Sequence, residues 1–72
     1  MNKTSFSYKK MKKAREDKGL SQDDFIFKLY DNKLEISRQT LSNYETGETT
    51  PNANDLTVIA DVLGKPITYF FD

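Results

Sequence analysis

Short polar residues and glycines cut this chain into five segments, and each segment carries the apolar spacing of a helix. Ser21, Ser37 and Asn52 each stand just ahead of an apolar stripe. A side-chain oxygen there can accept one of the backbone N–H groups that a first helical turn leaves unpaired. Gly19 and Gly64 stand just beyond such stripes, where a left-handed residue ends a helix. No stretch shows strand-like alternation of useful length, and no repeat or low-complexity tract is visible. The expected fold class is therefore all-α.

The first helix is expected from about Ser5 to Lys18, because Tyr8, Met11, Ala14 and Arg15 recur at three- and four-residue steps. Leu20 can then fold back over its last turn. Ser21, with Asp24 three residues on, has the form of a capping box. It opens a second helix from Gln22 to about Asp31, whose inner face is expected to be Phe25, Ile26, Leu29 and Tyr30. Asn32 to Glu35 form a connection, with Leu34 and Ile36 plugging it into the core. Ser37 opens a short helix, Arg38 to Glu45, with Leu41 and Tyr44 turned inward. Residues 46–51 are turn-rich. Asn52 caps a fourth helix, in which Leu56, Ile59, Ala60 and Leu63 make the buried stripe. Pro66 suits the first turn of a last short helix containing Ile67, Phe70 and Phe71. These segments make a compact five-helix bundle, one domain over residues 1–72, with residues 1–5 as a disordered arm.

Composition removes several chemistries. The 72 residues include no cysteine and no histidine, so disulfides, thiolate nucleophiles, zinc fingers and imidazole catalysis all fall away. An enzyme is not expected, and no cofactor or metal site is implied. Asp23 and Asp24 lie in a first helical turn, where capping and the helix dipole account for them. No apolar run approaches the roughly 18 residues of a membrane span, and the N-terminus lacks the apolar stretch of a signal peptide. A reducing, cytoplasmic setting fits the absence of cysteine. The 11 basic and 11 acidic residues cancel, but they are unevenly placed. Residues 1–18 hold Lys3, Lys9, Lys10, Lys12, Lys13, Arg15 and Lys18 against Glu16 and Asp17; the remainder is correspondingly acidic. Such a chain can present one basic face to a polyanion. A solvated helix surface explains the same lysines, and charge alone leaves both readings open.

The informative unit is GLSQDDF followed by ISRQTLSNYETGETTP. Two Ser-capped helices joined by a connection can lay one helix across a DNA backbone and set the other in the major groove. Arg38, Gln39, Ser42 and Asn43 occupy the outward face of the second helix. Arginine reads guanine through two acceptors, while glutamine and asparagine read adenine through a paired donor and acceptor. The methyl group of Thr40 can meet a thymine methyl. Ordinary solvent-facing polar residues would look alike by composition.

From Met11 to Phe70 the sequence resembles the phage repressor and Cro family of helix-turn-helix domains, also called the xenobiotic-response-element family. The motif reads Arg15, then Lys18-Gly19-Leu20-Ser21-Gln22-Asp23-Asp24-Phe25. It continues Ile36-Ser37-Arg38-Gln39-Thr40-Leu41-Ser42-Asn43-Tyr44-Glu45-Thr46-Gly47, then Pro51 and Ile59-Ala60-Asp61-Val62-Leu63-Gly64. The resemblance implies a lambda-repressor-like bundle and a sequence-specific regulator of transcription, most often a repressor. It implies base reading by Arg38, Gln39 and Asn43, with Ser42 at a position that reaches either bases or backbone. It implies phosphate contact by Gln22, Thr46 and Gly47. Ser37 and Thr40 are expected at phosphates too, and Lys9 and Lys10 are expected to reach flanking phosphates, a reading that simple solvation of these lysines matches equally well. Arg15 and Glu45 match a partly buried ion pair. The implied partner is a double-stranded DNA operator, bound by a homodimer whose half-sites lie about one helical turn, ~34 Å, apart. Tyr69 or Phe71 is expected to stay exposed for self-association.

Three departures from the family pattern stand out. The connection between helices two and three is about five residues longer than usual, a lengthening that costs little free energy. Ile26 stands where alanine is usual, and Glu48 where a basic residue is common. A module or antitoxin whose main partner is another protein remains the alternative function.

Overall fold

The computed structural model describes residues 5–71. The expected arm at residues 1–5 lies outside the described residues except for Ser5, which is exposed. Four α-helices follow, then one short 3-10 turn.

Helix α1 runs Tyr8–Asp17 and starts later than the apolar spacing suggests. Phe6 and Ser7 are extended because the chain's other end claims their backbone. Phe6 makes an antiparallel bridge to Phe71, and Ser7 N–H donates to the Phe70 carbonyl at 2.7 Å. Ser7 then caps the helix, its hydroxyl accepting from Lys10 N–H at 3.3 Å. At the far end Leu20 N–H reaches back to the Arg15 carbonyl at 3.2 Å.

Helix α2 runs Gln22–Asp31 from a reciprocal box. Asp24 N–H donates to Ser21 Oγ at 3.0 Å, and Ser21 N–H donates to the Asp24 carboxylate at 3.2 Å. Phe25 and Leu29 are fully buried and Ile26 is half-buried. Tyr30 was expected inside but is 62% exposed. It follows Leu29 directly, and the roughly 100° between successive residues of a 3.6-residue turn carries its ring off the inner stripe. The connection, residues 32–37, turns at Lys33, whose φ of 69° is left-handed. Leu34 N–H returns to the Leu29 carbonyl at 2.9 Å, and Leu34 and Ile36 pack against the core.

Helix α3, Arg38–Thr46, is capped by Ser37, which accepts from Thr40 N–H at 3.0 Å. It ends one residue later than expected, so Thr46 belongs to the helix rather than to the loop. Helix α4, Ala53–Leu63, is capped by Asn52, which accepts from Asp55 N–H at 2.8 Å. Leu56, Ile59, Ala60 and Leu63 are its buried residues.

The fifth expected helix is instead a 3-10 turn, Ile67–Phe70. Pro66 precedes it in extended geometry (ψ 153°) and leaves too few residues for α-type pairing before the chain straightens at Phe71. Phe70 is fully buried and closes the core. Tyr69 and Phe71 are not the free aromatic patch expected. Both are half-buried: Phe71 meets Phe6 edge-on at 6.2 Å, and the Tyr69 ring has the ammonium groups of Lys65 (4.8 Å) and Lys10 (5.8 Å) over it.

Met11 and Ala14 of α1, Phe25 and Leu29 of α2, Leu41 and Tyr44 of α3, and the α4 stripe form one core under Phe70. Each fully buried large side chain contributes about 1.5–3 kcal/mol relative to its exposed form. Helix α3 packs on both α1 and α2, so its buried side is fixed from two directions. Among the described residues, no helix is long and apolar enough to cross a membrane.

Candidate nucleic-acid interface

What fixes α3 is a polar joint beneath it. Arg15 Nε donates to Glu45 Oε2 at 2.6 Å, and a second guanidinium nitrogen donates to Oε1 at 3.1 Å. The remaining arm of Arg15 donates to the Leu20 carbonyl at 2.7 Å. Both residues are buried, at 6% and 5% exposure. Gln22, the first residue of α2, adds a third donor: its Nε2 lies 3.1 Å from Glu45 Oε1 and 3.3 Å from Ser42 Oγ. One carboxylate therefore ties α1, α2 and α3 together. A side-chain charge removed from water needs this degree of partnering.

The opposite side of α3 is open. Arg38 and Gln39 are exposed, and Asn43 is half-buried. Gln39 Nε2 donates to Asn43 Oδ1 at 2.9 Å, a bond between residues one turn apart. It couples the two amides, and among the described residues no other hydrogen bond engages the Gln39 side-chain carbonyl or the Asn43 side-chain NH2. Arg38 lies 3.7 Å from the Asp23 carboxylate, both side chains being more than 60% exposed (67% and 62%). That separation is too long for a hydrogen bond, and exposed pairs contribute little, so the guanidinium is free to turn to another acceptor. Asp24 is engaged in the capping box, so these neighbouring acids have separate duties.

The other residues singled out by sequence sit around this face. Ser42 is turned toward α2, its hydroxyl accepting from Gln22. Ser37 and Thr40 are bonded to each other through their hydroxyls at 3.0 Å, at the N-terminus of α3. At the other end, Thr46 Oγ1 and Thr49 N–H both donate to the Asn43 carbonyl, at 3.4 and 3.3 Å. Among the described residues, the N–H groups of Gly47 and Glu48 meet no acceptor. Lys9 is exposed and Lys10 half-buried in the first turn of α1. A lysine there sits at the positive end of the helix dipole, so neither is placed to stabilise the helix.

One contact was not anticipated. The Tyr8 ring lies against Gly47, where an added Cβ would stand 2.9 Å from two ring carbons. Gly47 also has φ 87°, so the position demands glycine twice over. Tyr8 thus braces the loop after α3 from the start of α1. The sequence places Tyr8 on the α1 stripe but gives no pairing with a residue so distant along the chain.

Tyr44 anchors the inner face to α4: its hydroxyl donates to Asp55 Oδ2 at 3.1 Å. Burial first, then the Asp55 hydrogen bond and charge, raise its pKa above the ordinary 10.0.

A helix-turn-helix family model matches residues 11–70, spanning α1 through the 3-10 turn. No curated protein and no solved structure matches the chain. The matched region contains the Arg15–Gln22–Glu45 joint and the whole outward face of α3, and the chain belongs to the helix-turn-helix family of phage repressor and Cro type, a family of DNA-binding transcription regulators.

Proposed function

We propose that this protein is a sequence-specific repressor of bacterial or phage type, its residues 1–72 forming one module that works in the cytoplasm on a double-stranded operator. The observation that carries this reading is the outward presentation of Arg38, Gln39 and Asn43 on a helix whose other side is locked by a buried ion pair. A rigid rod with pre-oriented amide and guanidinium groups matches the donor and acceptor pattern of the major groove. Ser42, drawn back by Gln22, touches only the edge of that surface. The N-termini of α2 and α3, with Gln22, Ser37 and Thr40, meet phosphates on one side of the groove. Thr46 and the unpaired N–H groups of Gly47 and Glu48 meet them on the other. Lys9 and Lys10 extend the contact along the backbone.

One reading helix spans only a few base pairs, so two copies bind an inverted repeat. Occupying that site excludes polymerase. Affinity falls steeply with salt, because neutralised phosphates release counterions. Selection of bound sequences from a random DNA pool tests the proposal. An enriched inverted repeat is expected, with the preference at one position relaxed by Arg38→Ala. A pool with no enrichment would overturn it in favour of a protein-binding module.

A further inference from the structure

Arg38 opens α3 at a poor place for a cation. The N-terminus of a helix carries partial positive charge, and the first turn of α3 contains no acidic residue of its own to offset it. The acid comes from the neighbouring helix. Asp23, the second residue of α2, sets its carboxylate 3.7 Å from Arg38 Nη1, with both side chains well exposed. Capping does not account for that carboxylate. Ser21 caps α2 and Asp24 completes the box, so the α2 terminus has its reciprocal pair without Asp23. Among the described residues the Asp23 side chain makes no hydrogen bond, and its ion-pair partner is Arg38. Stability does not account for it either, since exposed pairs contribute little. Asp23 also lies beside Gln22, at a helix end proposed above to meet a phosphate, where a second negative charge is repelled.

We propose that Asp23 is a positioning residue, biasing Arg38 toward a guanine and away from the DNA backbone. The inference rests on the operator reading above and adds a second residue to the reading of one base position. An unguided guanidinium serves a phosphate as readily as a base, and only the base contact carries sequence information. With Nη1 toward Asp23, the Nε–Nη2 edge is left for O6 and N7 of one guanine. The carboxylate then stays neutralised by Arg38 while both face the duplex. If Arg38 swings to a phosphate instead, Asp23 is left uncompensated beside a polyanion. The wrong contact is thereby destabilised by repulsion, which widens the gap between specific and non-specific sites. At 3.7 Å the charges interact but form no hydrogen bond, so Arg38 is biased without being held.

The test is a response of opposite sign on two kinds of DNA. The full chain and its Asp23→Asn variant are titrated against the selected operator, against operators changed at the Arg38 base position, and against random duplex, each over a salt series. Asp23→Asn should bind random duplex roughly threefold more tightly and discriminate at that base position roughly threefold less, the size expected of one exposed charge pair. On random duplex its salt slope should steepen by about 0.9, one further phosphate being neutralised by the released Arg38. In an Arg38→Ala background the same substitution should leave base preference unchanged. A folding defect would lower both affinities together, so it cannot imitate this pattern. Equal discrimination in the variant and the parent, a joint fall in both affinities, or a loss of base preference that persists without Arg38 would each overturn the proposal and leave the operator reading standing. A parent chain with no base preference would sink that reading and this one together.

Discussion

Glu45 and Asn43 stand two residues apart on α3, both polar, and they meet opposite surroundings. The Glu45 side chain is 2% exposed, with one oxygen on Arg15 Nε and the other shared by Arg15 and Gln22. Asn43 gives its side-chain carbonyl to Gln39, and among the described residues its NH2 meets no acceptor. Two steps of roughly 100° carry a side chain from one side of a helix to the other. On the inner side, polar groups are consumed by the fold and fix where α3 lies. On the outer side, they are oriented but left with bonding capacity to spare. The same helix thus separates stability from recognition by rotation alone.

The sharpest way to break that comparison is to remove Glu45. Glu45→Ala strands the Arg15 guanidinium in the interior, and a buried pair broken this way costs ~3–5 kcal/mol. Domains hold only about 0.05–0.15 kcal/mol per residue in reserve, so a chain this small loses much of its margin. Urea denaturation followed by circular dichroism should show a large fall in midpoint. Replacing Arg15 and Glu45 together with leucine and methionine should cost less than either single loss, since no charge is stranded. A midpoint shift as small as that of a surface substitution would mean the joint does not hold α3.

Changes on the outer face should give the converse pattern. Arg38→Ala and Asn43→Ala are expected to move the denaturation midpoint by no more than about 0.5 kcal/mol. In binding titrations against the selected operator, each should lose ~1–3 kcal/mol of discrimination at its own base position. Asn43→Ala also unfastens Gln39, so preference at two adjacent positions should blur together. Should these variants lose stability in step with affinity, the two faces would not be independent.

The difference between the faces also accounts for what the sequence disclosed. The inner face was legible because burial imposes a period: Phe25, Leu29, Leu41, Leu56, Ile59 and Leu63 recur at helical steps, and the caps at Ser21, Ser37 and Asn52 bracket them. Tyr30 departs from the pattern because an aromatic next to the stripe looks apolar enough to join it, while its angle on the helix sets it outside. The start of α1 escapes local pattern because Phe6 and Ser7 pair with residues at the opposite end of the chain. That pairing also covers Phe71, which local pattern left exposed. Tyr8 against Gly47 belongs to the same class: a contact between distant segments leaves no local spacing to read. On the outer face, residue types named the chemistry, but the Gln39–Asn43 bond and the withdrawal of Ser42 toward Gln22 needed three dimensions.

The smallest expected effect lies where the inner face meets α4. Tyr44 donates to Asp55 at 3.1 Å, so Tyr44→Phe removes one neutral-to-charged hydrogen bond while keeping the ring in place. The loss should be about 1.5 kcal/mol or less, because Asp55 is only half-buried and water can replace the phenol. Its signature is in the pH dependence. Burial, and then Asp55, favour the neutral phenol in the folded chain, so the folded pKa lies above the 10.0 of the unfolded residue. The resulting stabilisation is fully present below pH 10.0 and is lost as pH climbs through the raised folded value. Stability measured across the alkaline range should therefore fall more steeply in the parent than in Tyr44→Phe, the two curves converging at high pH. Parallel curves would show that the phenol ionises alike in both states, and that the inner face reaches α4 through the ring alone.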